Sequence, residues 1–207
     1  MKLVALLGAL ALATRVAAQE PRLERLDSAA RAPVAALLDS ARAAGLPPEP
    51  LIQRALEGTT KGAPPDRVVA AVRRLATDLG RARDALGQSA DPLELDAGAA
   101  ALRAGASPAA LAQLRRARHQ PLMVPLAVLA DLVASGVPPD SAAAAVLVLA
   151  GSARDADLVE FRRAVERDIA LGASPAGAAT GAARETFGAV TDVNSSARTG
   201  SARPRRP

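Results

Sequence analysis

A single histidine, His119, closes the run Arg115-Arg116-Ala117-Arg118-His119. One imidazole excludes any metal site or proton relay that needs two. The cations around it read as the end of a helix, where positive charge complements the backbone dipole. The nearest thing to a carboxylate cluster is Asp155, Asp157 and Glu160, three acids within six residues. A hard cation such as calcium takes ligands of this kind. The stretch lacks the glycine and spacing of an EF-hand loop, however, and acids are expected at a helix start. Glu94 and Asp96 read the same way. No serine stands in a Gly-x-Ser-x-Gly turn, and no glycine-rich loop carries the Gly-Lys-Ser/Thr of a phosphate cradle. With no cysteine either, no metal and no cofactor is expected. A hydrolase working with carboxylates is the enzyme class that remains.

Binding chemistry has two candidates. Arg67, Arg74 and Arg81 are spaced by seven, which sets them along one helix face. They suit an anionic partner, or else form a solvated face in which Asp78 pairs with Arg74 and Arg81. Glu57 and Lys61 flank Gly58-Thr59-Thr60, a weak strip for a helix just ahead of a turn. Gly58 stands inside that helix, where alanine would be favoured by up to about 1 kcal/mol.

The elements that place these residues are joined by one recurring device. A glycine is followed by an apolar residue and then a proline at Gly45, Gly62 and Gly136, and by an apolar residue, a serine and a proline at Gly105 and Gly172. Glycine in the left-handed conformation lets a helix end satisfy its own carbonyls, and the next residue packs back on the last turn. Proline suits the first turn of the following helix, where its missing N–H is no loss. Ser107 and Ser174 stand where an N-cap belongs, and Glu49, Asp66 and Asp140 set negative charge at helix starts. Each copy is a tight helix–helix corner.

Between corners the pattern is helical almost throughout. One or two helices cover 22–44, with Pro33 as the expected break. Others span 48–61, 65–86, 92–104, 108–118, 121–135, 139–150, 155–171 and 175–187. In helix 65–86 the residues Val68, Val72, Leu75, Leu79, Ala82 and Leu86 form one apolar stripe. Residues 87–91 mark a candidate sub-boundary, and Asp91-Pro92-Leu93-Glu94 reads as a cap, a first-turn proline and a capping-box acid. The fold class expected is all-α: a compact, irregular, orthogonal bundle of about eight or nine helices. The alternative is a short solenoid-like array of helical hairpins, although the corner glycines stand 17, 43, 31 and 36 residues apart, at no fixed period. Residues 122–150 are the most apolar stretch and are expected to be the central pair, wrapped by the rest in a monomer.

The ends differ from the body. Lys2, the apolar run 3–13 and Val16-Ala17-Ala18 form the pattern of a secretory signal, cut before Gln19. Residues 188–207 carry four arginines and little apolar content, and are expected to be disordered. The whole formal net charge of +5 sits in these two ends. The body between them is neutral, which argues against a nucleic-acid surface. An exported protein without cysteine must be held by packing alone. The expected function is a non-enzymatic binding or scaffolding module outside the cytoplasm, acting on a protein or another envelope component. Amphipathic helices and an arginine tail also suit a membrane surface.

Overall fold

A computed structural model describes residues 21–200 of the chain, with side-chain surroundings through 192. The signal segment 1–18 and the last residues, 201–207, lie outside the described residues. A short 3-10 turn, Pro21–Arg25, precedes nine described α-helices: α1 (Ser28–Ala43), α2 (Glu49–Thr60), α3 (Pro65–Leu86), α4 (Pro92–Ala104), α5 (Pro108–Ala117), α6 (Met123–Ala134), α7 (Pro139–Ala150), α8 (Asp155–Ala170) and α9 (Pro175–Gly200).

All five expected corners form, and they share one geometry. The glycines have φ between 67° and 118°. At each, the next N–H donates to the carbonyl five residues back: Leu46 to Ala41, Ala63 to Gly58, Ala106 to Ala101, Val137 to Leu132 and Ala173 to Asp168, at 2.9–3.0 Å. These are Schellman closures. Ser107 Oγ accepts from the Ala110 N–H, Ser174 Oγ from the Gly177 N–H and Asp91 Oδ1 from the Glu94 N–H, so all three expected caps are made. Leu46, Ala106 and Val137 are buried beneath their corners, but Ala173 is exposed.

Within this all-helical bundle the packing follows chain order. Helices α1, α3, α5, α7 and α9 lie in one row, and α4, α6 and α8 in a second. Contacts of α3 with α4, α6 with α7 and α8 with α9 join the rows. Among the described residues, every substantial contact joins elements adjacent or next but one in the chain. The bundle is therefore layered in the order of a hairpin array. Helix α3 packs on α4 across residues 87–91, and buried residues on both sides of that connection belong to one core.

Several local expectations change. Pro33 does not break α1 but lies on its exposed side, where water can serve the Ala29 carbonyl that a proline leaves without a partner. The helix expected to stop at 187 continues to Gly200, with Val190 half-buried against the core. The expectation that 122–150 is covered all round holds for α6 better than for α7. Leu126, Leu129 and Leu132 are fully buried, whereas Val148 is 50% exposed and Ala144 also faces solvent. A row of helices leaves an outer face on each member, and alanine and valine occupy that of α7. Gly58 is not a vacant position either: a Cβ there would stand 3.0 Å from Val68 Cγ2.

Candidate functional site: a charged groove across α2, α3 and α4

The corner at Gly62 sets α2 against α3, and the cap at Asp91 lays α4 along the same side of α3. A groove of about 550 Å³ opens between the three helices. Pro47, Pro50, Leu75, Pro92 and Leu93 give it an apolar lining, and Glu49, Arg54, Glu57, Asp96 and Arg103 give it charge. A second hollow of about 330 Å³, lined by Ala71, Arg74 and Asp78, shares Arg54, Leu75 and Arg103 with the first. The two make one continuous surface.

Glu49 and Glu57 are held by cations. Both oxygens of Glu49 accept from the Arg22 guanidinium at 2.8 Å, and Gln53 Nε2 donates to the same carboxylate at 2.7 Å. These hydrogen bonds, Arg22 first, lower the Glu49 pKa to about 2. Lys61 Nζ lies 2.6 Å from Glu57 and Arg54 Nη1 lies 3.2 Å from it, and Lys61 is the main cause of that carboxyl's lowered pKa. Carboxylates held ionised in this way suit ion pairing rather than proton donation.

Of the residues expected to bind, Glu57 and Arg74 line the groove together. Arg67 is exposed in the first turn of α3 and lines neither hollow. Arg81 pairs with Asp78 at 3.5 Å, and the expected Arg74–Asp78 pair is not formed. Arg54, Leu93 and Arg103 line the groove without having been singled out in the sequence. Each reads there as an ordinary surface position, and only the packing of α2 and α4 on α3 assembles them.

The residues read as helix-end signals turn out to form a buried polar clasp. Glu94 is 4% exposed, accepts from the Leu122 N–H at 2.7 Å and pairs with Arg115. Arg118 is 3% exposed. It donates to the carbonyls of Pro121, Ala150 and Ala153 at 3.3, 3.1 and 2.7 Å, and to Asp155 Oδ1 at 2.6 Å. The other two acids of the expected cluster are taken by arginines as well, Asp157 by Arg154 and Glu160 by Arg163. Among the described residues, no group of three potential ligands could hold a metal ion. No described helix is long and apolar enough to cross a membrane.

A sequence signal for the clasp did exist. Six of the eight connections between the α-helices contain a glycine at positive φ. The exceptions are α5–α6 and α7–α8, where Gly151 has φ −80°. Arg118 hydrogen-bonds to the backbone of both. A buried guanidinium does there what a left-handed glycine does at the other corners.

In comparisons with known proteins, no family model, no curated protein and no solved structure matched this chain.

Proposed function

We propose that this chain is a non-enzymatic protein-binding or scaffolding module, exported from the cytoplasm, that holds its partner in the α2–α3–α4 groove. The observation that carries the reading is the continuity of the two hollows through Arg54, Leu75 and Arg103. It yields a surface long enough for an extended segment rather than an isolated dent. Leu93, on its border, is 65% exposed, an apolar contact already presented to solvent. Export rests on the basic, apolar and small-residue pattern of residues 1–18.

Peptide selection on the immobilised full chain tests the binding. Peptides that are retained by the native protein and lost with Leu93→Glu support the groove. Recovery of the same peptides by both proteins would refute it. Leu93 is exposed, so the substitution leaves folding intact. Mass spectrometry of the exported pool tests the export: a chain beginning at Gln19 is expected, and an intact Met1 contradicts it.

A further inference from the structure

Arginines from three helices, Arg54 on α2, Arg74 on α3 and Arg103 on α4, line one hollow of about 330 Å³. The groove's acids are already answered from its edges: Glu49 by Arg22, Glu57 by Lys61 and Arg54, and Asp78 by Arg81. Among the described residues, the side chains of Arg74 and Arg103 make no ion pair or hydrogen bond. Asp96, the groove acid without a cation, lines the first hollow with Leu93 and Arg103 and does not reach the second, where Arg74 lies. Folding thus leaves two guanidiniums unanswered in one concavity, with Leu75 between them and the apolar end. A guanidinium presents a planar fork that matches a carboxylate, and it is less strongly hydrated than an ammonium, so it binds anions well at half-open sites.

We propose that this end of the groove is a subsite for an acidic segment of a partner protein, an extended stretch in which glutamate or aspartate lies close to an apolar residue. The carboxylate takes Arg74 and Arg103, and the apolar residue lies over Leu75 towards Leu93. The inference rests on the binding-module reading and adds the chemical class of the partner. Charge complementarity selects an acidic peptide, and the apolar half of the same groove selects a peptide over a small anion.

Fluorescence anisotropy with the full chain tests it. The probes are a short labelled peptide of glutamates around a Leu-Pro pair, the same peptide with glutamines, and the same with lysines. The glutamate peptide is expected to bind about tenfold more tightly than the glutamine peptide, a ratio equivalent to ~1.4 kcal/mol. Arg74→Glu with Arg103→Glu is expected to abolish that preference and transfer it to the lysine peptide. Both positions are exposed. Should circular dichroism show the double reversal unfolded, Arg74→Gln with Arg103→Gln must still lose the preference. Equal binding of the glutamate and glutamine peptides, or no binding of either, overturns the proposal. So does displacement of the glutamate peptide by inorganic phosphate at its own affinity, or arginine-dependent sedimentation with anionic vesicles. Groove-dependent peptides that are selected without acids would overturn this inference while leaving the binding module standing.

Discussion

The buried guanidinium of Arg118 donates to Asp155 Oδ1 at 2.6 Å, and the same side chain holds the carbonyls of Ala150 and Ala153. One residue beyond the end of α5 thus closes α7 and opens α8. The partners are unequal, since Arg118 is 3% exposed and Asp155 is 50% exposed. Arg118→Met removes the donor from three carbonyls and leaves Asp155 to water. Leaving a buried carbonyl without its donor costs about 1–3 kcal/mol. Urea denaturation is expected to show a loss in that range, with Asp155→Asn costing clearly less. Equal costs would mean that the ion pair, not the carbonyl bonds, holds the two connections.

Corner glycines and the helical glycine respond in different ways. Gly62→Val and Gly136→Val put a β-branched residue at φ 67° and 91°, a strain of about 1–3 kcal/mol. Gly58→Ala has no such strain, but its new methyl meets Val68 Cγ2 at 3.0 Å. The usual helical gain of about 0.5–1 kcal/mol is therefore expected to be cancelled by crowding. In a double-mutant cycle, Val68→Ala relieves the crowding, and Gly58→Ala becomes stabilising in that background. A clear gain from Gly58→Ala alone would show that Val68 moves aside freely.

Val128, 3% exposed on α6, and Val148, 50% exposed on α7, separate the buried side of the apolar hairpin from its open side. Val128→Asp buries an unpaired charge and is expected to unfold the protein, a cost of several kcal/mol. Val148→Asp is expected to stay within about 0.5 kcal/mol of the native protein. Circular dichroism distinguishes them. If light scattering found the native protein dimeric and Val128→Asp a folded monomer, α6 would be an interface instead of the core.

The Arg22–Glu49 pair ties the N-terminal turn to α2, and it sets a direction for pH dependence. Glu49 is lowered from an ordinary value of 4.5 to about 2. Its contribution is therefore complete above about pH 4.5 and is lost as the pH falls towards about 2. Both side chains are well exposed, so solvent screening limits the pair to about 1 kcal/mol or less. Melts of native protein and Glu49→Gln are expected to differ slightly at neutral pH and to converge in acid. A difference that widens on acidification would contradict the pair's role.

Corners, caps and apolar stripes were legible in the sequence because each is a local arrangement. A left-handed glycine, a serine before a proline or a stripe at helical spacing is set by residues within a few positions of one another. Hence α3, α4 and α7 begin and end where the sequence places them, and Asp91 caps as expected. The end of α9 was missed for the same reason: the residues after Gly188 carry little apolar content, and the half-burial of Val190 depends on helices far away in the chain.

Only tertiary packing could decide the roles of the charged residues. On a helix surface, Arg54 and Arg103 are indistinguishable from any other arginine, and Arg74 from Arg67 and Arg81, until α2 and α4 dock against α3. Glu94 and Arg118 carry the local signature of helix ends, yet the helices that bury them come from elsewhere in the chain. Helix-forming tendencies act over one or two turns, whereas desolvation and ion pairing depend on what arrives from distant positions. The sequence by itself therefore determined the helices and their glycine corners, and the tertiary structure alone decided which charges are buried and which line the groove.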